Sequence, residues 1–275
     1  MLQPNFFNTV FVFPILNILV SLYKLFSIIR LPGAFGFSII GLTVLIRLLL
    51  HPFFKQQIET AKKMQEMKPH LDKLSKKHKS DPKKLQQEQL RLYQQAGINP
   101  ASGCLFMIIQ IPVFFALYKT LSLFLLNGNL TKIISQINKN LYFSFLKIVS
   151  INPWFFGFNL ALAPNKAGQW HYYLIPVITG LLQYWQAQVS MPAQSPQTSA
   201  VDVKNNPSSA NLPAGKAGAT EGKDDFQKAM STQMKYIMPF MIGWFSYTLP
   251  IGLSLYWNIF SIFSIIQYRQ MKVKS

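Results

Sequence analysis

The chain has 275 residues, half of them hydrophobic, and carries a formal charge of +18 from 27 Lys plus Arg against 9 Asp plus Glu. A soluble basic protein spaces its apolar residues at a period of 3.6 or 2; here they come in long unbroken runs, which excludes an ordinary soluble domain and points to the membrane. A single cysteine, Cys104, excludes an internal disulfide and reads as a small buried hydrophobe.

In chain order, Met1–Val20 lacks a positive n-region and the first basic residue is Lys24, so neither a cleavable signal peptide nor a transit peptide is expected. The stretch NFFNTVFVFPILNILVSLYKLFSIIR is apolar enough to span. However, Asn5, Asn8, Asn17, Ser21 and Lys24 interrupt it and Pro14 would kink it, so residues 1–33 read as an interfacial helix, with a sixth span as the alternative. Five core spans follow, at 34–54, 101–126, 171–189, 233–250 and 251–269. The last two are short and joined by TLPIGL, where Pro250 and Gly252 predict a tight helical hairpin.

Between the spans lie two long loops and a linker. Residues 55–100 predict a cytoplasmic helical hairpin broken at SDP, with Asp81 capping the second helix, Pro82 at its first position, and Gly97 and Pro100 closing it. Met64, Met67, Leu71 and Leu74 face Leu85, Leu92 and Tyr93 across it. Residues 127–170 form an outer loop, 190–232 have the composition of a disordered cytoplasmic linker, and 270–275 are a short tail. Orientation follows from basic residues: 55–100 carries eleven Lys and Arg and 127–170 only four. The N-terminus is therefore expected outside and the C-terminus in the cytoplasm.

Arg47 raises the sharpest question. It lies roughly 16 Å into its span at 1.5 Å per residue, where a charge costs about 2.5–3.5 kcal/mol on insertion scales. All nine acids lie in 55–100 or 190–232, and no predicted span holds one. Three arrangements are open. Arg47 bonds backbone carbonyls in a packed bundle, or a hairpin acid folds back onto it, or it faces a water-filled cavity and is left for an incoming acidic group; the third is the functional reading. Gln110 in the second span, Gln183 and Gln186 at i and i+3 in the third, and a fifth-span stripe of Ser254, Trp257, Asn258, Ser261 and Ser264 could line such a cavity. Lys119, near the outer end of the second span, reads as a snorkelling residue.

Enzyme chemistry is not expected. There is no phosphate loop, the four histidines form no metal spacing with each other or with Cys104, and no span supplies the acid of a Ser/His/Asp set. No cofactor or metal is called for.

Four motifs carry a resemblance: NTVFVFPILNILV before the first core span, GLTVLIRLLLHPFFKQQ around the arginine, LRLYQQAGINPASGCLFMIIQIPVFFALYKTL into the second span, and QMKYIMPFMIGWFSYTLPIGLSLYWNIFSIFSIIQ across the last two. With these the chain resembles the YidC/Oxa/Alb family of membrane protein insertases in its short bacterial form. The resemblance implies an all-α integral membrane protein with five core helices around a hydrophilic groove, a mobile cytoplasmic hairpin, and an N-terminal helix on the outer surface. It implies that Arg47, Gln110 and Trp257 line the groove, with Ser261 standing where the family has an asparagine; Gln183, Gln186 and Asn258 remain candidates from their own spacing, and the match leaves the third-span position open between Gln183, Gln186 and Gln188. It also implies ATP-independent insertion and chaperoning of nascent membrane proteins in the bacterial cytoplasmic membrane. Membrane lipids, the Sec translocon and the ribosome are further candidate partners, and a monomer is the expected functional unit. The alternative is a small-solute or anion transporter using Arg47 as its binding charge; that reading predicts repeats or half-helices, which the sequence lacks.

Overall fold

A computed structural model describes residues 3–78, 81–97, 102–125, 130–190 and 233–273, with the helical backbone alone over 102–110. The expected linker lies, beyond Ser190, outside the described residues. The chain opens on a π-helical turn, Asn8–Val12, that runs into α1, Phe13–Ile28. Arg30 and Gly33, both at positive φ (53° and 78°), turn the chain into α2, Ala34–Leu49.

The expected span 34–54 does not run through as one helix. It stops at Leu49, and the axis bends by 67° into α3, His51–Lys77. The cause is local: Pro52 has no N–H, so the ladder cannot continue across it, but it fits the first turn of a new helix. Helix α4, Pro82–Gln95, begins as the sequence predicts, with the Lys84 N–H donating to Asp81 Oδ1 at 3.1 Å. Asp81→Ala removes that cap. We expect a loss of about 1 kcal/mol of local helix stability, read as faster amide exchange in the first turn of α4 and unchanged exchange in α2.

Helix α5, Ser102–Leu125, leads to α6, Leu130–Lys139. The sequence reading treated this second stretch as loop; Ile133 and Ile137, four apart and buried, anchor one face of it. A two-residue antiparallel ladder follows, β1 (Trp154–Phe155) with β2 (Phe158–Asn159), then a single turn α7, Pro164–Ala167. Helix α8, Leu174–Ser190, precedes a second π turn, Gln233–Ile237, which runs into α9, Met238–Thr248. Helix α10, Ile251–Val273, ends the described chain.

The long helices pack in the order α1, α2, α10, α8, α9, while α5 lies against the N-terminal π turn, α3 and α10. The joint between α9 and α10 is tight, yet the two helices make little contact along their lengths; α8 packs along both. It comes close to α9 because Gly180 faces Gly243: a Cβ on Gly243 would lie 3.3 Å from the Pro176 carbonyl oxygen and 3.4 Å from Gly180 Cα. Leu16, Leu19, Ile39, Leu42, Leu117 and Leu253 fill the core between the layers.

Helix α1 and the π turn before it are tied to the 119–152 region at four side chains, Asn8, Asn17, Tyr23 and Lys24. Lys119 Nζ donates to Asn8 Oδ1 at 2.8 Å. Asn17 donates to the Asn140 carbonyl (3.1 Å) and accepts from the Tyr142 N–H (2.7 Å). Tyr23 meets Ser150 and Asn152, and Lys24 reaches the carbonyls of Phe145 and Lys147. Two helices among the described residues are long and apolar enough to cross a membrane, Asn8–Ile28 and Ile251–Gln270; the bent α2–α3 pair would make a third.

Candidate functional site

The site centres on α10, whose side chains project on a 3.6-residue period. One face carries Trp257, Phe260, Ser264 and Gln267 toward α2 and α5, and another carries Ser254, Asn258 and Ser261, of which Ser261 meets α8 and Ser254 meets α9. Arg47 reaches the first face from α2. Its guanidinium donates to the Phe260 carbonyl at 2.8 Å, to Gln267 Oε1 at 3.0 Å and to the Ser264 hydroxyl. Phe260 and Phe54 cover its faces, with ring centroids 3.7 and 4.1 Å from Cζ.

Arg47 is only 2% exposed. The guanidinium is thus not left open, as the functional reading of the sequence expects. It takes the first of the three arrangements, clasped by the protein's own neutral acceptors. The remaining donor, Nε–H, is buried with no partner among the described residues. The two ion pairs among those residues, Lys55–Glu59 and Lys62–Glu66, run along the exposed surface of α3 and leave Arg47 without a counter-ion.

The second face of α10 is also polar. Gln183 donates from Nε2 to the Ser261 hydroxyl at 2.9 Å, and Ser261 is fully buried. Toward the N-terminal end of α10, Ser246 bridges Ser254 (2.7 Å) and Thr179 (3.3 Å). Gln186 Oε1 and Asn258 Oδ1 are buried acceptors that no described group satisfies, a costly condition that calls for a donor. Trp257 stacks on Phe114 of α5, with centroids 5.8 Å apart and planes 7° from parallel. The Gln110 side chain lies outside what is described.

The structure therefore brings Arg47, Trp257, Ser261 and Gln183 onto one helix or its direct partners. The sequence reading left Phe260, Gln267 and Phe54 out of the site. A carbonyl acceptor leaves no trace in residue type, but Gln267 continues the polar stripe that already held Ser264 and could have been extended from it.

Long apolar helices, a buried arginine with no counter-ion among the described residues and a helix polar on two faces together point to an all-α membrane protein. A family model described as 60Kd inner membrane protein matches residues 27–275, and the chain belongs to that family, the YidC/Oxa/Alb insertases. Among its relatives, the membrane protein insertase YidC of Oceanobacillus iheyensis is 30% identical over 264 residues, covering 94% of this chain and 81% of its own. The inner membrane ALBINO3-like protein 2, chloroplastic, of Chlamydomonas reinhardtii is 29% identical over 253 residues, 88% of this chain and 51% of its own. The membrane protein insertase YidC of Caulobacter vibrioides is 50% identical over 109 residues, 40% of this chain and 17% of its own. The chain thus spans about half of the Chlamydomonas relative and a smaller part of the Caulobacter one.

Proposed function

We propose that this protein inserts nascent membrane proteins and helps them fold, without ATP, through a polar groove formed by five core helices: α2, α5, α8, α9 and α10. In this reading α1 lies on the outer surface, the α3–α4 hairpin stands in the cytoplasm and receives the client, and the C-terminus is cytoplasmic. The attachment of α1 to 119–152 at both its ends supports a helix lying along the outer side rather than crossing. Gln110, Gln183, Gln186, Trp257, Asn258 and Ser261 line the groove, and Arg47, sealed beneath Phe54 in the structure, joins them when that ring moves.

The observation that carries the reading is the bonding of Arg47. Among the described residues its hydrogen-bond partners are all neutral, and its Nε–H has none. A carboxylate accepts from Nε and Nη together, and such charge-assisted bonds are roughly twice as strong as neutral ones. An acidic residue on a client's outer tail can therefore displace Ser264 and Gln267 once Phe54 moves aside. The tail is held at mid-depth, the polar distance is shortened, and the client's apolar segment passes into lipid, where its burial drives the step.

The test varies the client. Proteoliposomes holding only this protein receive a single-spanning client whose short outer tail is acidic, neutral or basic, and protease protection reads insertion. Insertion without nucleotide, falling in the order acidic, neutral, basic, is expected. Anion flux with no client insertion would replace this reading with a transporter.

A further inference from the structure

We propose that the segment from Tyr142 to Gly157 is embedded in the headgroup and upper acyl region of an anionic bilayer leaflet, as a docked wedge and not as a loop in water. The proposal rests on the membrane placement above and is independent of insertase activity.

Four observations converge on it. The first is apolar exposure. Phe143, Phe145, Val149, Trp154, Phe156 and the neighbouring Trp170 are between 51% and 90% exposed, far more aromatic surface than a water-facing loop of this size needs. Aromatic rings of this kind favour the membrane–water boundary.

The second is the satisfied backbone. In water a loop leaves its peptide groups to the solvent, whereas in the interface each unmet group is costly. Here polar side chains from outside the segment occupy them. Asn138 takes both the N–H (3.0 Å) and the carbonyl (2.9 Å) of Ile148. Asn17 accepts the Tyr142 N–H, Lys24 takes the Phe145 and Lys147 carbonyls, and Tyr23 takes the Ser150 carbonyl.

The third is a strained tip. Phe156 and Gly157, at φ 45° and 84°, form the two central residues between β1 and β2, and both φ values are positive. Glycine tolerates this; a phenylalanine there costs on the order of 1–2 kcal/mol. The strain holds a ring that is 75% exposed at the very end of the hairpin. Apolar burial of that ring in lipid offsets it.

The fourth is charge. Residues 127–170 contain no acid, and the four lysines of that stretch, Lys132, Lys139, Lys147 and Lys166, are all exposed. An acid-free lysine rim complements anionic headgroups at about 1 kcal/mol per lysine. It argues against a second copy of this chain as the covering partner, because two such rims repel.

The experiment uses the full chain with Cys104→Ser, reconstituted in phosphatidylcholine bilayers with and without phosphatidylglycerol. Phe143→Cys, Phe145→Cys and Phe156→Cys carry nitroxide labels, with Lys73→Cys on α3 as the water-exposed reference and thermal unfolding confirming that each variant is folded. All three outer labels should collide with oxygen more often than with a water-soluble nickel complex, the reverse of the reference, at a depth of about 5–10 Å. Phosphatidylglycerol should deepen them, and Lys139→Gln with Lys147→Gln should abolish that deepening. Ready access of the nickel complex would overturn the proposal. So would shielding from both reagents that is relieved by dilution with unlabelled lipid, which would reveal a second copy covering the surface. Loss of insertase activity leaves these readouts untouched, so the two proposals fail separately.

Discussion

Replacing Arg47 by Met is expected to give a protein that folds at least as well as the parent and no longer inserts clients with acidic outer tails. The two halves of this result have different causes. A buried cation without a counter-ion retains much of its desolvation cost, and an apolar residue of similar volume in its place is often neutral or stabilising. The groups left behind are not stranded. Ser264 already donates to the Phe260 carbonyl at 3.0 Å, and Gln267 is partly exposed and lies near His51. Insertion loses the attraction between a guanidinium and a carboxylate. At about 4 Å and an effective dielectric near 20 that attraction is worth roughly 4 kcal/mol, so a fall on the order of a hundredfold in insertion rate is expected after partial desolvation losses. Thermal unfolding in detergent and protease protection in proteoliposomes read the two halves. A parallel fall in both would mean that Arg47 is structural and that its role in binding clients is wrong.

The second large effect falls on stability. Gly36 of α2 lies beneath the ring of Phe155, and a Cβ built there would sit 2.4 Å from Phe155 Cγ. Gly33 faces the same ring. Gly36→Leu forces either α2 or the β1–β2 hairpin to move, at a cost of about 1–3 kcal/mol. More follows from the move, because the chain after β2 pins the α9–α10 joint: the Ile251 N–H donates to the Leu162 carbonyl and the Gly252 N–H to the Leu160 carbonyl, each at 3.0 Å. The clash belongs to one pair of residues, so adding Phe155→Ala should recover part of the loss. We expect a coupling of about 0.5–3 kcal/mol in a double-mutant cycle. Additive losses would place the damage elsewhere in α2.

How much of this was legible beforehand depends on how local the cause is. Asp81 and Pro82 announced the start of α4 because a cap and a first-turn proline act within four residues. That the predicted spans offer Arg47 no acid was readable by counting. Its actual partners were not, since they are a main-chain carbonyl and two neutral side chains more than 210 residues away. The break at Leu50 had a signal, Pro52, that the length of the apolar run outweighed. Helix α6 was missed for the opposite reason: ten residues with two buried isoleucines are too short a stretch for periodicity to stand out from a loop. The position of α8 along both α9 and α10 has no local cause; it follows from Gly180 meeting Gly243 across 63 residues of sequence.

The bend at Leu50 has a mechanical consequence. Helix α3 runs for 27 residues, with Pro69 within it, about 40 Å at 1.5 Å per residue. Its pivot sits three residues beyond Arg47, and Phe54, one turn past the pivot, rests on the guanidinium. A swing of about 10° moves the far end by roughly 7 Å and Phe54 by roughly 1 Å, from the same rise per residue. A load on the far tip of α3 is thereby geared down to a small displacement at the buried arginine, on the scale that unseats one aromatic ring from one cation.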